Sequence, residues 1–170
     1  MKIKHLSLLG ATIIPFVTGC ASHPLALAPV GPQPGLPAMS GSTGSLQVFS
    51  ATQPSNPIGD IGSASSFQVH SGYNINDASG RQAGFVFNHT SDLDERPDLV
   101  KLPAGHYQIE AQSACCGLVM VPVVIEDGRT TFVHLDRSWW PPGRTATNQV
   151  VFLPDGEGVG WSCSLAGSAR

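Results

Sequence analysis

Apolar and polar residues alternate along this chain in short runs separated by glycine, proline and Asp-Gly turns, and the longest unbroken pattern lies between Asp98 and Asp136. Residues 98–102 and 106–111 read as two strands joined through Pro103-Ala104-Gly105, a half-buried hairpin. Residues 119–126 and 129–136 flank Asp127-Gly128, a strong short-range hairpin signal. Because side chains alternate across a strand, Leu102, Tyr107, Ile109, Ala111, Val121, Val123, Ile125, Val133 and Leu135 are directed to the core. His106, Gln108, Glu110 and His134 are directed to solvent. Pro122 has no N–H to give to a ladder, which predicts an edge strand or a solvent-facing gap.

The same pattern predicts a first strand at 46–52, a long loop at 53–65 and a short strand at 67–70. A hairpin over 73–76 and 81–88 turns at Asp77-Ala78-Ser79-Gly80, and a last hairpin over 150–153 and 158–161 turns at Pro154-Asp155-Gly156-Glu157. Some seven or eight strands without a helix, at these turn spacings, make the expected fold an all-β sandwich.

The first twenty residues follow a different rule. Lys2 and Lys4 precede an apolar run at 6–17, too short to span a bilayer as a helix and of the length of a signal core, so 1–19 reads as a signal peptide. Its last residues, Val17-Thr18-Gly19-Cys20, resemble the bacterial lipobox. That resemblance implies cleavage before Cys20, a diacylated Cys20 sulfur and an acylated N-terminus, which together anchor the chain to a membrane. Ala21 stands where aspartate would imply inner-membrane retention, so the implied address is the outer membrane of a Gram-negative cell, facing the periplasm or the cell surface. Residues 20–45, rich in proline, alanine and glycine, read as a flexible tether carrying the lipid-bearing cysteine. Residues 46–136 are then the β-sandwich domain, and 137–170 an aromatic loop, C-terminal hairpin and tail.

The run Leu102-Pro103-Ala104-Gly105-His106-Tyr107, with the later Asp127-Gly128-Arg129-Thr130, resembles the carboxypeptidase-regulatory-like and PEGA-type modules. The resemblance implies a prealbumin-like Greek-key β-sandwich of about seven strands and a non-catalytic accessory role. The sequence departs from those modules at Ser113-Ala114-Cys115-Cys116-Gly117, where they usually have a polar or glycine-containing turn.

Composition narrows the partners. Charged residues are 12% of the chain and the formal net charge is −3, with no basic cluster, so nucleic acid and anionic lipid lack an electrostatic footprint. Beyond Cys20 three cysteines remain, and in an oxidising envelope a disulfide of Cys115 or Cys116 with Cys163 is the leading expectation; unpaired thiols and a soft-metal site at the vicinal pair are the alternatives. Asp92, Asp94, Glu95 and Asp98 crowd oxygen ligands into one loop but lack the spacing of a calcium loop. Trp139 and Trp140, beside Pro141-Pro142, are candidate contacts for a protein or a sugar ring, or covers for an open end of the core. No nucleophile elbow, zinc-protease motif or phosphate loop is present, and neither a catalytic residue nor a metal or other cofactor is expected. The sequence thus predicts a non-enzymatic, lipid-anchored envelope protein whose partner is another envelope protein or, alternatively, a cell-wall glycan.

Overall fold

β-Branched and aromatic residues at alternate positions, with glycine and proline between the runs, favour short strands over helices. The computed structural model, which describes residues 24–55, 67–89, 95–142 and 147–163, is accordingly an all-β sandwich. Its strands are β1 (Leu25–Ala26), β2 (Val30–Gly31), β3 (Thr43–Phe49), β4 (Thr52–Ser55), β5 (Phe67–His70), β6 (Tyr73–Asp77) and β7 (Gln82–Val86). They are followed by β8 (Leu99–Pro103), β9 (Gly105–Ser113), β10 (Gly117–Ile125), β11 (Thr130–His134), β12 (Val150–Phe152) and β13 (Gly158–Ser162). A 3-10 turn, Thr147–Gln149, precedes β12. The large sheet runs β12-β13-β2-β10-β9-β6-β7, with β1 also paired to β10; β11-β3-β8 forms the second sheet, and β4-β5 a small ribbon.

The interior is filled from both sheets. Val30, Leu46, Val48, Tyr73, Ile75, Ile109, Ala111, Val119, Val121, Val123, Ile125, Val133 and Leu135 are all buried, joined by Val151, Leu153 and Val159 of the last hairpin. Seven of the nine expected core positions between 102 and 135 are buried as period two requires, while Leu102 and Tyr107 are half-buried against the core. The largest fully buried side chain is Tyr73. Tyr107 instead lies at the margin, its hydroxyl donating to the Pro103 carbonyl at 3.1 Å.

Several expectations are corrected. Residues 98–102 and 106–111 do not pair with each other: β8 pairs antiparallel with β3, whereas β9 lies between β10 and β6 in the other sheet. Pro103-Ala104-Gly105 therefore carries the chain across the sandwich. Asp127-Gly128 does the same. The turn itself forms, with the Arg129 N–H donating to the Glu126 carbonyl at 3.2 Å, but β11 then pairs parallel with β3. Turn chemistry fixes a local reversal; burial of β11 against β10 from the opposite layer decides the partner.

Pro122 lies in a central strand, opposite Gln108 of β9. On its other flank β1 stops at Ala26 opposite Met120, and β2 begins at Val30 opposite Val123. The missing N–H falls in that interruption, so no edge is needed.

The tether is also shorter than its composition implies. Leu25 and Ala26 pair parallel with Val119 and Met120, and Val30 is fully buried. Residues 32–39 then continue along the molecule to Met39, whose N–H donates to the Gly128 carbonyl at 2.9 Å. Proline and glycine there shape a bound segment, with the apolar Leu25, Leu27 and Val30 supplying the contacts that hold it. At the other boundary, β12 and β13 belong to the large sheet, Trp161 pairing with Gly31, so the C-terminal hairpin is integral to the sandwich. The signal segment 1–19, Cys20, Asp92 and Asp94 lie outside the described residues.

Candidate functional site

The two stretches that turn and core chemistry leave unexplained, Cys115-Cys116 and Trp139-Trp140, arrive at one end of the sandwich. β9 climbs to this end and β10 leaves it, so the turn 114–116 is its tip. β3 and β11 run parallel to the same end, finishing at Phe49 and His134. The Ala114 N–H donates to the Leu135 carbonyl at 2.7 Å, and the Leu135 N–H to the Phe49 carbonyl at 2.7 Å. Those bonds tie the cysteine turn to the root of the aromatic loop.

Within the turn, Cys115 and Cys116 are bonded to each other as a vicinal disulfide. Ser113 braces it: its hydroxyl oxygen accepts from the Cys116 N–H at 3.0 Å and its proton is given to the Gly117 carbonyl at 3.2 Å. Gly117, at φ 71°, supplies the left-handed step that lets β10 start. The expected bridge to Cys163 is not formed. The Cys163 N–H donates to the Pro29 carbonyl, level with the middle of β10, about six residues or 20 Å along that strand from Cys116. A disulfide reaches only about 7 Å between Cα atoms. Cys163 remains a free, half-buried thiol whose pKa is raised, first by burial and then by the nearby Glu126 carboxylate.

Beside the turn stands a stack of rings. His134 lies between Phe49, 4.4 Å away at 14°, and Trp139, 5.4 Å away at 9°. Trp139 meets Trp161 edge-on at 5.9 Å, and Phe49 meets His70 edge-on at 5.8 Å. His134 was directed to solvent by strand alternation and is instead only 9% exposed, because the chain folds back after Asp136 and lays Trp139 over it. The Ser138 N–H and hydroxyl both donate to Asp136 Oδ1, which makes that reversal. Burial lowers the His134 pKa to about 4; His70 pushes the same way and Asp136 opposes it. The imidazole is therefore neutral near pH 7. Its Nδ1 has no hydrogen-bond partner among the described residues.

Of the two candidate contact residues, Trp139 is committed to this stack by face and edge. Trp140 is 66% exposed.

No family model, curated protein or solved structure matches the chain. What this end can do is thus read from its chemistry. It exposes Phe87, Leu118 and Trp140, and among the described residues no group of three or more His, Cys, Asp or Glu side chains is placed to hold a metal ion.

The polar interior behind this surface was not foreseen. Asn88 is fully buried with φ 69°, and its side-chain amide donates to the Val48 carbonyl and the Ser50 hydroxyl, each at 2.9 Å, and to the Ser71 carbonyl at 3.3 Å. Its oxygen accepts from the Asp98 N–H at 3.2 Å, and next to it His70 Nδ1 donates to the Ser50 carbonyl at 2.6 Å. Asn88 begins a glycosylation sequon, yet its amide is wholly occupied inside the protein.

A small cavity of about 40 Å³ opens between His134, Trp139 and Trp161, and two larger concavities lie towards the opposite end. One, of about 510 Å³, lies between the β6–β7 turn and Tyr107, Gln108 and Pro122. Asp77 on its rim accepts from the Ser79 hydroxyl and N–H and from Arg81, which lower its carboxyl pKa to about 2. Another, of about 310 Å³, is an apolar groove where Leu36, Pro37 and Met39 face Phe132. Leu36 and Met39 are 54% and 73% exposed.

Proposed function

We propose that this chain is a lipid-anchored envelope protein whose β-sandwich acts as a non-enzymatic interaction module. The observation that carries the reading is the apolar groove formed by Leu36, Pro37, Met39 and Phe132, at the end opposite the point where the chain joins the sheet. Large exposed apolar side chains gathered in a groove favour a partner that removes them from water. The lipobox resemblance at Val17-Thr18-Gly19-Cys20 supports anchoring through Cys20 and an outer-membrane address. The turn motifs at 102–107 and 127–130 support the finer assignment to a prealbumin-like Greek-key module of the carboxypeptidase-regulatory-like kind.

The test places a photoreactive amino acid at Met39 and, as a control, at Glu110, in cells making the full chain. A discrete adduct at Met39 that is absent at Glu110 and lost in Leu36→Asp supports the module; no adduct at Met39 overturns it. The exposure of Trp140 keeps a glycan reading in play. Retention on purified cell-wall glycan that disappears in Trp140→Ala would replace the protein-partner reading with that one.

A further inference from the structure

The point where the chain joins the sheet decides which end of the molecule faces an anchoring membrane. Among the described residues Leu25 is the first held in a strand, opposite Val119 and two residues beyond the start of β10, at the end that carries the cysteine turn. The inference rests on the proposed lipidation of Cys20. Between Cys20 and Leu25 lie only Ala21, Ser22, His23 and Pro24, so in any conformation the two Cα atoms are separated by at most about 17 Å. A domain of this size, about 120 described residues, is about 35 Å across. The leash is shorter than the domain is wide. The end bearing Leu25 is held near the bilayer and the molecule cannot turn over.

That same end presents apolar side chains that the core does not use. Phe87 is 72% exposed, Leu118 37% and Trp140 66%, while Phe85, 50% exposed, lies further along the sheet at the level of Glu110. Their placement follows from pairing. Phe87 precedes Asn88, which is bonded to Ser50 and Ser71; Leu118 faces Gln112 beside the cysteine turn; Trp140 follows Trp139, which rests on His134. Phe85 and Phe87 meet edge to face at 5.2 Å, giving one aromatic patch. Of the other exposed apolar side chains, Leu36 and Met39 lie at the far end, beyond the leash's reach, while Leu99 and Phe132 lie along the second sheet, away from this end.

We propose that the end formed by the Cys115–Cys116 turn, Phe87 and Trp140 docks on the interfacial layer of the bilayer that holds the acyl chains of Cys20. Aromatic side chains with one polar edge are favoured at headgroup depth, and leucine and phenylalanine at the acyl boundary. Charge selects the kind of surface. Glu110 and Asp136 lie near this end and the chain is acidic, so the match is a zwitterionic headgroup layer.

The experiment uses the full chain, made with its leader, purified and placed in phosphatidylcholine vesicles with and without bromine on the acyl chains. Bromine quenches only tryptophans that reach the lipid. Tryptophan emission is expected to fall by about a third or more in brominated vesicles, the loss arising chiefly from Trp140 because Trp139 and Trp161 are half-buried in the ring stack. Trp140→Phe should remove most of that quenching. In the Trp140→Phe background, Phe87→Trp should restore it and Met39→Trp should not. Equal quenching of Phe87→Trp and Met39→Trp, or no quenching of Trp140, overturns the docking, including the case in which a protein covers this end. The mass of the purified chain separates the two levels. Acylated Cys20 with unquenched Trp140 sinks the docking alone, whereas unmodified Cys20 removes the lipoprotein reading and the docking with it.

Discussion

His134 illustrates how one ring can couple packing to pH. Its folded-state pKa of about 4 lies below the ordinary value of 6.5, so the unfolded chain takes up the proton first. Stability should be level above pH 6.5, fall as pH drops towards 4, and lose on the order of 2 kcal/mol once partial solvent screening is allowed for. Urea midpoints at pH 7 and pH 4.5 measure this, and His134→Phe, which keeps the stack without the titratable nitrogen, should flatten the difference. Asn88 makes a separate demand. It bonds four polar groups, two of them buried, from a left-handed backbone, which asparagine tolerates better than most residues. Asn88→Ala should cost about 2–4 kcal/mol in chemical denaturation, because the carbonyls of Val48 and Ser71 and the Ser50 hydroxyl lose a shared donor. A cost below about 1 kcal/mol would show that water replaces it.

At the scale of elements, the vicinal disulfide and the Asp127-Gly128 turn behave oppositely to their first appearance. A bridge between adjacent residues closes almost no chain, so the entropy it removes from the unfolded state is small. The double variant Cys115→Ala, Cys116→Ala should therefore lower stability by no more than about 1 kcal/mol. Thiol titration of the unfolded, unreduced protein should count Cys163 alone among the three cysteines beyond Cys20. Gly128, by contrast, has φ 67° and its Cα faces the backbone of Met39, where a methyl group would run into the Met39 carbonyl. Gly128→Ala should be the more damaging change, displacing residues 36–39 and with them the apolar groove. What was legible in the sequence divides along the same line. The β6–β7 and β12–β13 hairpins, and seven of the core positions, follow from period-two alternation and short-range turn signals. Partner choice was not legible, since Asp127-Gly128 reverses the chain whether or not the flanking strands pair. Nor was the place of 24–31, because a bound segment only two strands of two residues long has no period to display. His134 was misplaced because alternation assigns the two faces of a strand and is silent about a loop that returns to cover one.

For the whole molecule, the sequence positions of the strands matter as much as their contacts. β2 lies between β10 and β13, and Trp161 of the last strand is paired with Gly31 of the second. Deleting residues 24–31 should therefore abolish cooperative unfolding, which a dispensable tether would not do; circular dichroism on heating distinguishes the two. Most neighbours in the fold are likewise distant along the chain, as where β3 takes β11 and β8 on its flanks. Such topologies form slowly, since long loops must close before the contacts that reward them exist. The seam between β2 and β13 adds an ordering in time. A chain delivered from its N-terminus, whether from the ribosome or through a membrane channel, exposes β2 long before β13 arrives to cover it. Until about residue 160 has emerged, the large sheet lacks its last two strands and β2 has no partner on its β13 side.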